Sequence, residues 1–332
     1  AGRLAVRYEG MDGWWENETL DEEGPDKDNL FLRASLLWEA SDTLEVIAKY
    51  EHGDFEVLGR PQVVYQSDQP VNFLGEEPFP VIDDHDRGAG DVLDTDDTEL
   101  DVALLTVNWD AAVGTLTSIT GYATYDTVRQ TNSDIAATPA LNRIQEEEYD
   151  QFSQEVRLVS PGGETLDWII GAYYQQSELD VSKTNTDLDF LRAGPLSVPP
   201  LVYTTDERIP TQFDQESTSW AVFAQGTYAL TSTLRLGLGL RYNEEEKDLD
   251  KVTGATGLGA RAGANLIVLA NPASGILIED LRSHSFPGLE RDEEKLTWSA
   301  NLQWDVGDDS MVYASVSTGF KGGGFDESYS NS

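Results

Sequence analysis

Two sharply different link lengths alternate along this chain without exception, and that regularity limits the fold more than any other feature. About eleven segments of alternating character are predicted as strands, at 3–9, 29–39, 43–52, 98–110, 115–129, 147–160, 165–179, 216–230, 233–249, 293–306 and 310–320. One set of links is very short: Ser41-Asp42, Ala111 to Gly114, Pro161-Gly162-Gly163, Thr231-Ser232 and Gly307-Asp308-Asp309. These carry hairpin turn chemistry. The other set is long, at 10–28, 53–97, 130–146, 180–215 and 250–292. In an up-and-down antiparallel sheet, successive links lie at opposite ends. All tight turns are therefore expected at one end and all long loops at the other, the sorting found in outer-membrane barrels.

The strands themselves are two-faced. In Thr233–Asp248, Leu234, Leu236, Leu238, Leu240 and Tyr242 take every second place, with Arg235, Gly237, Gly239, Arg241 and Asn243 between them. Successive strand side chains point to opposite faces, so one face is apolar and the other small or cationic. Segment 293–306 repeats the pattern, with Leu296, Trp298, Leu302 and Trp304 against Thr297, Ser299, Asn301 and Gln303. The leucine face is expected to meet lipid, and the arginine face a lumen. Trp38, Trp109, Trp168, Tyr228, Trp304 and Tyr313 all lie close to tight turns and are expected to form one aromatic girdle.

Composition narrows the function. The chain has 332 residues, a net charge of -39, three histidines and no cysteine. Disulfides and thiolate metal sites are excluded, and histidine chemistry is scarce. So acidic a chain repels nucleic acid, and no nucleic-acid partner is expected. No run of about 20 apolar residues occurs, so any membrane role must come from strands. The acids concentrate in the long links: loop 10–28 holds eight Asp or Glu against Lys27, whereas Leu234 to Tyr242 holds none. Charge is thus expected in loops and absent from the apolar band. No elbow serine, phosphate loop or dinucleotide fingerprint is present, and no enzyme activity or cofactor is expected.

Three stretches resemble one family. "MVYASVSTGFKGGGF" (311–325), "FSQEVRLVSPGGETLDWIIGAYYQ" (152–175) and "RLAVRYEGMDGWWEN" (3–17) are similar to barrel strands and hairpins of TonB-dependent outer-membrane receptors. The resemblance implies an all-β, antiparallel, up-and-down transmembrane β-barrel of roughly 22 strands, of which this chain supplies about eleven. Residues 1–332 are expected to be one barrel segment without plug domain, beginning inside the barrel and stopping before its last strands. The resemblance further implies a Gram-negative outer membrane, contact with its lipid, and uptake of a scarce small ligand. A ferric siderophore or similar complex is the expected cargo, with energy from the TonB complex through an N-terminal region. A passive porin and a soluble all-β binding protein are the alternatives.

Two groups of residues are candidates for sites. In "DDHDRGAGDVLDTDDTELD" (83–101), Asp83, Asp84, Asp86, Asp94, Asp96 and Asp97 offer oxygen ligands for a cation, without the spacing of an EF-hand loop. On the expected lumen face the polar candidates are Arg157, Arg235, Arg241 and Asn243, with pairing to acids such as Glu155 as the structural alternative. "GFKGGG" (319–324) is read as the start of a loop.

Overall fold

A computed structural model describes residues 1–61, 87–133, 142–163, 165–186, 208–254, 284–307 and 309–327. Its strands are β1 (Gly2–Met11), β2 (Trp15–Asn17), β3 (Glu22–Gly24), β4 (Asp26–Ser41), β5 (Leu44–Leu58), β6 (Arg87–Gly88), β7 (Thr95–Ala111), β8 (Gly114–Asn132), β9 (Asn142–Val159), β10 (Leu166–Thr186), β11 (Ile209–Ala229), β12 (Leu234–Thr253), β13 (His284–Gly307) and β14 (Ser310–Ser317).

Eleven of these form one sheet, in the order β1-β4-β5-β7-β8-β9-β10-β11-β12-β13-β14, and every pairing within it is antiparallel. All eleven expected strands are present, in chain order. β1 and β14 are the two edges of the sheet. The tight turns are held locally. Thr231 Oγ1 accepts from the backbone N–H groups of Thr233 (3.2 Å) and Leu234 (3.0 Å). Gly114 has φ of 137°, and a Cβ there would lie 2.0 Å from the Val159 carbonyl oxygen, so only glycine fits.

Several strands run further toward the long links than expected: β10 reaches Thr186 where 179 was expected, and β13 begins at His284 where 293 was expected. Many of the acids assigned to loops therefore stand on regular strand. The link after β1 also contains structure. β2 pairs with β3, and in parallel with β6, to make a small second sheet. Trp15 and Asn17 are buried there, and Asn17 Nδ2 donates to the Gly90 carbonyl at 3.2 Å.

The two faces of the large sheet differ in kind. Directly opposed residues share a face, so register carries one row across many strands. Leu44, Trp109, Leu116, Leu158, Ile170, Ala224, Leu240 and Trp298 form one such row over eight strands. These side chains point outward: Leu240 is 56% and Trp109 50% exposed. Buried apolar side chains are few among the described residues, namely Trp15, Val181, Phe213, Ala221 and Leu249. An apolar surface this continuous and this exposed is the reverse of a soluble protein's distribution.

The opposite face is crowded. Arg241 on β12 lies over the ring of Tyr173 on β10, reaching across β11, as side chains do on a concave surface. Every lysine and arginine of the eleven long strands falls on this inner face. The expected faces of β12 and β13 hold, with Arg235, Ser299 and Asn301 inside and Leu236, Trp298 and Leu302 outside. The girdle needs one correction. Trp38, Trp109, Trp168, Tyr228 and Trp304 share the outer face, but Tyr313 stands opposite Gln303 and is on the inner one. Closeness to a turn fixes height, not the side of the sheet.

Candidate functional site

Height along the strands sets the chemistry of the outer face. Ten residues beyond the apolar row, toward the long links, stands a second row: Asp54, Glu99, Asp126, Glu148, Asp180, Asp214 and Asp250, in register over seven strands. At about 3.3 Å per residue and a tilt near 40°, the two rows are roughly 25 Å apart along the axis, the height of an outer-membrane apolar band. Between them lie tyrosines whose hydroxyls donate to carboxylates just beyond: Tyr50 to Asp101 (2.5 Å), Tyr122 to Asp150 (2.5 Å) and Tyr242 to Glu294 (2.6 Å). Amphipathic rings with acidic partners on one side suit a boundary between hydrocarbon and water.

Directly opposed like charges destabilise a sheet. The cost shows at Asp214. Partial desolvation, and after it the carboxylates of Asp180 and Asp250 on either side, raise its pKa above the ordinary value.

The inner face carries the cations and their partners. Arg157 pairs with Glu155 at 3.1 Å, and Arg235 with Asp305 at 2.8 Å. Arg241 Nε donates to Asn243 Oδ1 at 2.6 Å, and its guanidinium lies 5.5 Å from the Phe223 ring centre. Arg157, Arg235, Arg241 and Asn243 all lie on the inner face, but not as one cluster. Arg235 is at the turn end, Arg241 and Asn243 are higher on β12, and Arg157 belongs to β9.

Of the cation candidates, Asp83, Asp84 and Asp86 lie outside the described residues. Asp94 is buried and accepts from the Asn132 backbone N–H at 2.7 Å, with Arg60 Nε 3.5 Å from its other oxygen. Burial pushes its carboxyl up, against the pull of Asn132 and Arg60. Asp96 accepts from Thr98 Oγ1 and from Arg129 Nε, each at 3.1 Å. Asp97 stands opposite Glu56 on the outer face. A histidine and two carboxylates come together elsewhere: His52, Glu99 and Asp101 offer ligand atoms within 4.8 Å of one another. Asp101 already accepts from Tyr50 and contacts His52 Nδ1 at 3.0 Å.

The densest grouping is at the long-link end of the inner face, on β10 to β13. Val181, Phe213 and Leu249 form its buried core, and Phe325 packs on them from the segment after β14. Lys183, Lys247 and Lys251 surround it. Lys183 Nζ is 2.8 Å from Glu327, Lys247 Nζ donates to the Gly323 carbonyl at 2.7 Å, and Lys251 Nζ to that of Asp326 at 3.0 Å. Sequence reasoning missed Lys183 and Lys251 because it assigned 180–215 and 250–292 to loops, and it passed over Lys247 although that residue lies in the expected strand 233–249. Continuing the odd-numbered face of β12 past Asn243 finds Lys247 and Lys251 directly.

A sheet apolar outside, ionic inside and sorted by link length defines the class: a barrel wall of the outer-membrane type. Comparison with known proteins gives the family. The model described as "TonB dependent receptor-like, beta-barrel" matches residues 56–332. The chain belongs to that family, whose members are transport receptors and not enzymes, as the sequence led us to expect. Its fold resembles the ferric yersiniabactin uptake receptor FyuA of Yersinia pestis, with TM-score 0.67 and 12% identity over 95% of this chain and 41% of that one. It also resembles the siderophore receptor PiuA of Acinetobacter baumannii (TM-score 0.62, 13% identity, 95% and 44%). A third similar structure is the copper transporter OprC (0.57, 10%, 95% and 40%). The chain therefore spans less than half the length of these structures.

Proposed function

We propose that residues 1–332 are one barrel segment of an outer-membrane active-transport receptor in a Gram-negative bacterium. Its cargo is a scarce small ligand, a ferric siderophore or similar complex, and its energy comes from the TonB complex acting through the receptor's N-terminal region. The observation that carries this reading is the match to the receptor barrel family over most of the chain. The division of the sheet into an apolar outer face and an inner face holding all its strand cations supports it. Of the similar proteins one is a ferric yersiniabactin uptake receptor, one a siderophore receptor and one a copper transporter, so iron complexes are the first cargo to test.

The test is uptake in iron-starved cells. Deleting the gene should abolish accumulation of one radiolabelled ferric siderophore, and deleting TonB should abolish it equally. Uptake that depends on the gene but persists without TonB would make the protein a passive porin. Recovery of the complete gene product in soluble form without detergent would make it a soluble binding protein.

A further inference from the structure

His52 stands among the carboxylates of the outer face, away from the lumen. On β5 it is directly opposite Asp101 of β7, and Glu99 is the next residue of β7 on the same face. His52 Nδ1 lies 3.0 Å from Asp101 Oδ1, and ligand atoms of His52, Glu99 and Asp101 all fall within 4.8 Å of one another. Two ligands on one ion, each about 2.0–2.2 Å from it, stand roughly 3–3.5 Å apart. The His52–Asp101 spacing is thus already that of two ligands sharing an ion. Glu99 is exposed, so a side-chain rotation is enough to bring in the third.

Chemistry and support separate this trio from the acids around it. Asp54 and Asp126, on either side of Glu99 in the same row, offer oxygen alone. His52 adds a nitrogen, and imidazole suits zinc and its neighbours, whereas magnesium and calcium favour oxygen throughout. The Asp101 carboxylate is also held from behind: the Tyr50 hydroxyl donates to its Oδ1 at 2.5 Å. Such an outer hydrogen bond orients a ligating carboxylate. β5 and β7 are paired without interruption from Leu44↔Trp109 to Leu58↔Thr95, so the backbone positions of the ligands are fixed before an ion arrives. The His52 and Asp101 side chains are 24% and 32% exposed, which leaves an ion a way in and its outward positions open to water.

We propose that His52, Glu99 and Asp101 bind a divalent ion of the zinc type on the outer wall of the sheet, just beyond the apolar band. His52 binds through Nδ1 as the neutral imidazole, each carboxylate binds through one oxygen, and water fills the remaining positions. The ion ties β5 to β7 from the side opposite the lumen. It is a resident of the wall and not cargo, so the site stands apart from the uptake reading.

The test uses the complete receptor in detergent, stripped with a chelator and then dialysed against Zn²⁺ in the presence of excess Mg²⁺. The parent should hold one more zinc per receptor than His52→Gln. Tyr50→Phe removes only the hydrogen bond to Asp101 and should weaken that zinc by about tenfold. Asp126→Asn lowers the charge of the same row without touching the trio, and should keep the zinc. Heat-modifiable assembly of each variant shows that the barrel has formed. Equal zinc in the parent and His52→Gln would overturn the proposal. So would equal loss in His52→Gln and Asp126→Asn, which would reduce the trio to part of a diffuse acidic surface. Zinc binding requires neither TonB nor uptake, so a receptor that imports no iron complex would still answer, and the two readings fail separately.

Discussion

Arg235 and Asp305 face each other across the β12–β13 pair in a two-point bridge, Nη1 to Oδ2 at 2.8 Å and Nη2 to Oδ1 at 2.9 Å. Each side chain is about one-third exposed, at 34% and 33%. Geometry favours this bridge, but solvent weakens it. A double-mutant cycle with Arg235→Gln and Asp305→Asn, read by urea unfolding from lipid vesicles, should give a coupling of about 1 kcal/mol. No coupling would mean that the bridge does not persist in the lumen.

Outer and inner faces should respond oppositely to charge. Leu302→Arg puts a cation on the apolar band and should cost about 2–4 kcal/mol, lowering the assembled, heat-modifiable fraction of the receptor. Ser299→Arg, three residues away on the inner face, should assemble nearly as well as the parent. Equal loss in both would describe a sheet buried on two sides.

An outer-membrane barrel has its short turns in the periplasm and its long loops outside, which would place the tight turns of this sheet in the periplasm. An epitope inserted between β12 and β13 should bind antibody on intact cells, whereas one at Thr231-Ser232 should bind only after the outer membrane is opened. The reverse pattern would invert the protein.

Acid should tighten the long-link ends of β10 to β12. The folded-state pKa of Asp214 lies above its unfolded value, so the folded chain binds more protons in that window. Stability contributed there is lost as pH rises through the folded pKa and gained as pH falls toward the unfolded value. Backbone amides flanking Asp180, Asp214 and Asp250 should be better protected from hydrogen exchange at about pH 4 than at about pH 7, after correction for intrinsic rates. Asp214→Asn should flatten the difference.

Much of the fold was legible because Leu234 to Tyr242 and Leu296 to Trp304 alternate strictly, and alternation on a strand is a statement about faces. What alternation of apolar residues could not show is strand without apolar residues. Asp250 keeps the same period as Glu244, Glu246 and Asp248, but with no apolar residue to mark the face the strand was ended at 249, so Lys251 was assigned to a loop and Lys247, inside the expected strand, was passed over. Tyr313 was misplaced because height and side are independent. The packing of the segment after β14 was invisible for another reason. Its meaning depends on Phe325 meeting Val181 and Phe213, contacts between residues far apart in sequence, and "GGG" carries the same local signal whether it opens a loop or lies against a guanidinium.

On this reading the leucine side of the sheet meets lipid and the arginine side meets water. Nitroxides placed one at a time from Leu234 to Tyr242, in the complete receptor reconstituted in bilayers, test this; residues 1–332 contain no cysteine, and any elsewhere in the receptor is first replaced by serine. Collision with oxygen, which partitions into lipid, should peak at Leu236, Leu238 and Leu240. Collision with a water-soluble nickel chelate should peak at Gly237, Gly239 and Arg241. Two profiles that rise and fall together, or that alternate in the opposite phase, would contradict the account.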